Sequence, residues 1–179
     1  IRRYYKKYFV KLTHVFCQDK FTFQFLETEK ISNCSIIGNT RINQILLDKK
    51  HEFHCEKIHA FINNTKTIIY GSIEQGDYEK IMDTINSRKD IKHIIVPHET
   101  DSQTIRNLQN KLSANHLLYS QINNTKKIKE NILVVDKFGI LKYIYKYSDI
   151  AYIGGGFNTG THNTLEPAAH GNFILFGPN

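Results

Sequence analysis

The segment of the chain with the clearest capacity for chemistry is a glycine-rich stretch that ends in a glutamate and a proline. It reads Ile153-Gly-Gly-Gly-Phe-Asn-Thr-Gly-Thr-His-Asn-Thr-Leu-Glu-Pro. Consecutive glycines let the backbone approach a ligand that any side chain would hold away, and phosphate is a natural occupant of such a loop. The sequence therefore predicts ligand contacts at Gly154, Gly155 and Gly156.

Pro167 helps to place the polar side chains that follow these glycines. Proline disfavours helical geometry in the preceding residue and suits the first position of a helix, so we expect Glu166 at a helix mouth. There its carboxylate can accept hydrogen bonds from a sugar, while His162 and Asn163 can donate to a phosphate or carboxylate. In the competing interpretation, Asn163 and Glu166 form a capping box. Because Pro167 has no N–H, it removes a donor from the first helical turn and leaves less for a capping box to satisfy. We therefore favour ligand contact over the capping box.

Three other predicted strands end in residues able to hold a ligand. Ser72 follows Gly71 beside the acidic loop 74–77, His98 follows a proline, and Asp136 precedes a glycine at 139. In an open α/β sheet, ligands bind at the carboxyl ends of the strands, so these positions share an edge with the glycine-rich stretch. Asp136 is equally suited to capping a turn.

A cluster of potential metal ligands lies between His51 and His59. Residues 51, 55 and 59 would share one face of a helix, as metal ligands do. The sequence offers no matching second cluster, so we expect no metal site and no cofactor.

The elements that position these residues follow from the hydrophobic pattern. Short apolar runs predict strands at 14–17, 35–37, 67–70, 93–96, 132–135, 150–153 and 173–176. Amphipathic segments between them predict helices at 21–29, 42–62 in two pieces, 78–87 and 102–112. This alternation indicates an α/β fold, a Rossmann-like parallel sheet with helices on both faces.

Composition and charge limit the classes of partner. The 24 Lys and Arg residues outnumber the 17 Asp and Glu residues, and the formal charge of +7 favours an anionic partner. A basic module that binds RNA is one alternative, but the charges are dispersed and no RNA-binding motif is evident, so we expect no nucleic-acid partner. No apolar run approaches the roughly 18 residues that span a bilayer, and we expect this segment to be soluble.

The ordered motifs together resemble the 3-deoxy-D-manno-octulosonic acid (Kdo) transferases. The resemblance rests on the glycine-rich stretch through Glu166-Pro-Ala-Ala, then on Phe176-Gly-Pro, and upstream on Asp136-x-x-Gly-x-Leu, Pro97-His98, Gly71-Ser72, Gly38-Asn-Thr-Arg and Phe16-Cys-Gln-Asp. That family consists of inverting, metal-independent glycosyltransferases of GT-B architecture. The resemblance implies that this chain is the C-terminal, donor-binding half of such an enzyme.

What the resemblance implies about function is specific. The donor would be the cytidine monophosphate ester of Kdo (CMP-Kdo), and the acceptor would be the lipid A precursor (lipid IVA) at the cytoplasmic face of the bacterial inner membrane, in lipopolysaccharide biosynthesis. Donor contacts would fall on Ser72, His98, Gly139, Gly154 to Gly156, His162, Asn163 and Glu166. Many relatives read Gly-Glu-Leu where this chain has Gly139-Ile-Leu, so only backbone contact is implied there. Another GT-B enzyme that uses a UDP-sugar is the alternative.

The resemblance also implies how the chain divides. Residues 1–12, a basic helix, would be the tail of an N-terminal acceptor domain, and residues 13–179 a donor domain truncated at its C-terminus. The family's general base lies in the acceptor domain, and direct displacement needs a base opposite the leaving phosphate. We therefore expect no catalytic residue in this chain and no transferase activity from it alone.

Overall fold

A computed structural model describes residues 2–50, 53–122 and 128–179, with side chains from residue 6 onward. Backbone contacts divide the chain into two compact units, Ile1–Leu47 and Asp48–Asn179. The sequence-based boundary after residue 12 stays a prediction. None of the described helices has the length and apolar character needed to cross a membrane.

The first unit contains a small parallel sheet. Its strands β1 (Val15–Cys17) and β2 (Cys34–Ile36) pair in parallel. Its helices are α1 (Arg2–Phe9), α2 (Lys20–Thr28) and most of α3 (Thr40–Lys50). The Asp19 carboxylate caps α2 by accepting a hydrogen bond from the Thr22 amide at 2.7 Å, which stabilises the start of that helix.

The second unit is built on a six-stranded sheet in the order β5-β6-β4-β3-β7-β8, in which every pairing is parallel. The strands are β3 (Thr67–Ile73), β4 (Lys92–Pro97), β5 (His116–Leu118), β6 (Ile132–Val134), β7 (Ile150–Ile153) and β8 (Phe173–Phe176). The helices are α4 (Glu56–Ile62), α5 (Tyr78–Ser87), α6 (Ser102–Gln109), α7 (Leu141–Ile144) and α8 (Leu165–His170). The predicted α/β class is confirmed.

Two hydrophobic clusters, one on each face of this sheet, show why the strands read as continuous apolar runs. Successive side chains of a strand point to opposite faces, so both faces of a parallel sheet must be apolar when helices cover both. In β4, Ile94 packs in the cluster that contains Phe61 of α4. Its neighbour Ile95 packs in the cluster that contains Ile85 of α5.

Two predictions about elements were wrong. Strand β5 was missed because only Leu117 and Leu118 are apolar in its three residues, too short a run to stand out. Helix α8 begins at Leu165, two residues before the predicted start at Pro167. Proline is tolerated there because the first N–H groups of a helix have no intrahelical acceptor, so its missing N–H costs no helical bond.

Candidate functional site

The candidate site lies where the strand order of the larger sheet reverses. From the first strand of this sheet, β3, the chain continues to β4 on one side, and later adds β7 on the other. Ligands of open α/β sheets bind in the crevice at such a switch point, at the carboxyl ends of the strands. Ser72 and Gly154 lie at the ends of these two strands, and the Gly154 amide donates to the Gly71 carbonyl at 2.9 Å.

Ser72 has an unusual backbone conformation for its residue type. Its φ is +53°, in the left-handed region, and the register of β3 against β4 shifts between Gly71 and Ile73. A left-handed conformation costs a non-glycine residue roughly 1–2 kcal/mol. Such strain persists where the surroundings enforce it, often at binding sites. Here Ser72 is the unpaired residue at which the register shifts, one position before the end of β3.

One cavity collects four of the predicted binding residues. It has a volume of about 280 Å³ and includes Ser72, His98, Gly139 and Glu166 in its lining. The rest of the lining comprises Val96, Pro97, Thr100, Lys137, Phe138, Leu141 and Lys142. Residues far apart in sequence thus meet in one space, with two lysines among them.

A second cavity of about 580 Å³ shares His98 with the first. Its lining is more acidic and amide-rich: Ile73, Glu74, Gln75, Tyr78, Glu99, Thr104, Asn107, Asn110 and Lys111, besides His98. No residue of this lining other than His98 was predicted to bind a ligand. His98 therefore lies between two cavities, with 46% of its side chain exposed.

His162 does not line either of these cavities but contacts a residue that does. Its ring stacks on the ring of His98, with centroids 4.4 Å apart and planes 11° from parallel. Its Nε2 atom lies 2.9 Å from Oε1 of Glu74. The structure thus brings His162 and His98 together, and adds Glu74, which sequence analysis had noted only as part of an acidic loop.

Glu74 is held in place by the residues that follow the glycines. Thr159 Oγ1 donates to both carboxylate oxygens, at 2.9 and 3.0 Å, and Asn158 Nδ2 donates at 3.4 Å. Burial by itself would raise the pKa of this carboxyl, but the hydrogen bonds from Thr159 and His162 outweigh burial and hold the pKa below its usual value. Glu74 is therefore an anion at neutral pH.

The glycines serve close packing within the protein. A Cβ on Gly154 would collide with the backbone of Ser72 and Ile73, and a Cβ on Gly156 would lie 2.7 Å from Gly177 Cα. The amides of Gly154 and Gly155 already donate to protein acceptors. All three glycines are buried, and none lines either cavity described above.

The end of the described chain lies against the same glycine loop. The Asn179 amide donates to the Gly156 carbonyl at 3.1 Å, and the Thr161 amide donates to the Asn179 carbonyl at 2.9 Å. The turn after β8 thus clamps the loop from one side. The Thr161 hydroxyl also donates to the Asn179 carbonyl, so a side chain adds to these backbone contacts.

Asp77 is a buried carboxylate that sequence analysis missed. Only 1% of it is exposed. Its Oδ1 accepts from the Tyr152 hydroxyl at 2.7 Å, and its Oδ2 accepts from the amides of Gly155 at 3.0 Å and Glu74 at 2.8 Å. A buried carboxylate needs such donors. Asp77 therefore joins the glycine loop to the segment after β3. An aspartate immediately before a predicted amphipathic helix is typical of a helix cap, so the sequence carried no signal of its burial.

In the segment before α8, Asn163 makes a local contact while the N-cap position is Thr164, which makes no capping hydrogen bond through its side chain. Asn163 Oδ1 accepts a hydrogen bond from the Leu165 amide at 3.1 Å, which is a local capping contact. Glu166 instead lines the smaller cavity. Asn163 thus acts as a turn residue here, whereas Glu166 lies at the wall of the cavity.

Asp136 and the histidine-rich segment have structural roles in the described chain. Asp136 accepts from the Ser120 amide at 2.9 Å and from the Ser120 hydroxyl, which ties β6 to the turn after β5.

Cys55 precedes α4 instead of lying within it, and its buried Sγ lies 3.4 Å from the Tyr119 hydroxyl. Residue 51 lies outside the described residues. Because α4 starts at residue 56, the single helical face proposed for 51, 55 and 59 does not form.

Comparison with curated proteins gives relatives that are glycosyltransferases. No protein-family model matches the chain. A bifunctional glycosyltransferase/methyltransferase of Fusobacterium nucleatum is 36% identical over 154 residues, covering 83% of this chain and 23% of that protein. A 3-deoxy-D-manno-octulosonic acid transferase of Rickettsia typhi is 25% identical over 185 aligned positions, covering 99% of this chain and 39% of that protein. The chain thus spans less than half the length of these relatives.

A solved structure shares the fold. It is the C-terminal CMP-Kdo binding domain of WaaA from Acinetobacter baumannii, which superposes with a TM-score of 0.55 at 20% sequence identity. The match covers 76% of this chain and 70% of that one. This likeness confirms the predicted Rossmann-like α/β fold.

Proposed function

We propose that this chain, which is related to the Kdo transferases over nearly its whole length, is the part of such an enzyme that binds CMP-Kdo. The observation that carries the proposal is the cavity at the switch point, where Ser72, His98, Gly139 and Glu166 converge from four separate segments. These residues match motifs of the family in order. Convergence of polar groups on one concave site is the expected form of a small-ligand site.

The charges around this cavity suit the proposed donor. CMP-Kdo carries a carboxylate on the sugar and a phosphate in the leaving group, so its site must stabilise two negative charges. Lys137 and Lys142 line the cavity, and Lys142 also pairs with Asp48 at 2.9 Å. His98 adds a ring that can donate a hydrogen bond. These positive side chains support the assignment of the donor's anionic groups to this cavity.

Glu166 and Ser72 are assigned to the neutral groups of the donor. A carboxylate accepts hydrogen bonds from two neighbouring hydroxyls of a sugar, and a serine hydroxyl can donate or accept. His162 is assigned a supporting role through its stack on His98. Direct ligand contacts from Gly154 to Gly156 and from Asn163 stay predictions.

Transfer itself is proposed to need more than this chain. The chain covers 39% of the Rickettsia typhi relative. We assign the lipid IVA acceptor and the general base to regions outside residues 1–179, and the activity to the cytoplasmic face of the inner membrane. Residues 1–179 alone should therefore bind the donor without transferring Kdo. Measurable transfer of Kdo to a lipid acceptor by this chain would contradict that assignment.

Calorimetric titration of nucleotides tests the donor assignment. We expect the chain to bind CMP more tightly than UDP. Glu166→Gln and Ser72→Ala should each weaken CMP binding by about tenfold, which is about 1.4 kcal/mol, because each removes a hydrogen bond to the ligand. Glu79→Gln, on the exposed side of α5, is the matched variant and should leave the affinity unchanged. A preference for UDP would favour a UDP-sugar transferase instead.

A further inference from the structure

Glu74, His98 and His162 form a cluster whose possible ligand atoms all lie within 4.8 Å of one another. They come from three segments: the one after β3, the one after β4, and the loop between β7 and α8. We propose that these three side chains bind a divalent transition-metal ion such as Zn²⁺. The proposal goes beyond the proposed function, because metal binding needs no nucleotide, and the two assignments share His98 and His162.

The ligand set has the chemistry that such ions prefer. Zinc binds imidazole nitrogen and carboxylate oxygen at about 2.0–2.2 Å, in tetrahedral sites whose ligand atoms lie about 3.3 Å apart. Glu74 Oε1 and His162 Nε2 are already 2.9 Å apart. A hydrogen bond holds these two atoms together in the metal-free protein. An ion would replace that hydrogen bond and draw the remaining ligand inward by up to about 1.5 Å, within the reach of a side-chain rotation.

The supporting residues already orient two of the ligands. Thr159 donates to the Glu74 carboxylate at 2.9 Å, and Asn158 donates at 3.4 Å. The buried Asp77 accepts from the amide of Glu74 and from that of Gly155 in the histidine-bearing loop. Partners of this kind fix ligand geometry and raise the affinity of metal sites. The carboxylate and the His162 ring therefore pay little ordering cost when an ion binds.

His98 is the ligand that must move. Its ring is parallel to that of His162, so the two sets of in-plane lone pairs do not converge. With 46% of its side chain exposed, the ring is free of the packing that would prevent a turn out of the stack. His98 lines both cavities. An ion with three protein ligands keeps a fourth position, which water or an anionic group from either cavity can fill.

The decisive experiment is titration of the metal-free chain, residues 1–179, with Zn²⁺ alone. We expect one tight site per chain by calorimetry. His98→Gln, Glu74→Gln and His162→Gln should each weaken it at least tenfold. Co²⁺ in place of Zn²⁺ should give the visible absorption of a four- or five-coordinate ion, and each variant should reduce that absorption.

The matched variant changes a histidine pair elsewhere. The rings of His54 and His59 lie 5.9 Å apart, and the double variant His54→Gln with His59→Gln should keep the tight site. Of the three variants, His98→Gln is the least disturbing to the fold, because 46% of its side chain is exposed. Its thermal melting temperature should match that of the unchanged chain, so a loss of zinc binding by this variant cannot be attributed to unfolding. The proposal is overturned if no tight site appears, if the three variants leave it intact, or if the His54 and His59 changes abolish it. CMP binding is measured in a separate titration without metal, so failure of the donor assignment can be told apart from failure of the metal site.

Discussion

At the scale of single residues, Asp77 is the group on which the site's shape depends most. Only 1% of it is exposed, and it accepts hydrogen bonds from two backbone amides and one hydroxyl. These donors belong to the segment after β3 and to the stretch 152–155. The Tyr152 hydroxyl donates to Asp77, and the pKa of Tyr152 is raised, first by burial and then by this hydrogen bond. Its deprotonation in any physiological pH range is thereby prevented, so this hydrogen bond persists.

We expect Asp77→Ala to destabilise the chain by about 3 kcal/mol, because it leaves buried donors without acceptors at about 1–3 kcal/mol each. Tyr152→Phe removes one donor and keeps both amide contacts, so it should cost only about 1 kcal/mol. The free energy of unfolding in urea measures both. Equal costs for the two variants would mean that the amide contacts contribute nothing.

At the scale of elements, the positions of strands could be predicted, whereas the contacts between their ends could not. Apolar runs mark β3, β4 and β7 because both faces of the sheet are covered. The stack of His98 on His162 and the capture of His162 by Glu74 depend on sheet order. Sequence patterns report burial and periodicity along one segment. They do not say which loops become neighbours.

The glycine at the end of β7 gives a prediction at this scale. A Cβ at residue 154 would meet the backbone after β3, which cannot move without breaking the strand pairing, so we expect Gly154→Ala to cost about 3 kcal/mol or more. Gly171 ends α8 with a φ of +81° and open space around it, so Gly171→Ala should cost only about 1–2 kcal/mol of backbone strain. Thermal and urea unfolding compare the two. A milder effect at 154 than at 171 would show that the loop yields easily.

At the scale of the whole molecule, every residue assigned to donor binding lies in the unit of residues 48–179. We expect a chain of residues 48–179 to fold by itself and to bind CMP within about threefold of residues 1–179, since a unit with its own core can fold alone. Circular dichroism and calorimetry test this. If residues 48–179 do not fold alone, the predicted domain of residues 13–179 is favoured, because folding would then require β1 and β2.

The contact between Gly156 and the turn at Gly177 has a genetic consequence. Each glycine would bring a new Cβ against backbone atoms of the other segment, and backbone cannot shrink. Every missense change in either codon adds at least that carbon, so neither position has a conservative replacement, and no substitution in the partner segment can compensate. Homologues that keep this loop shape should therefore keep both glycines, and a change at either position should appear only where the loop itself has been rebuilt.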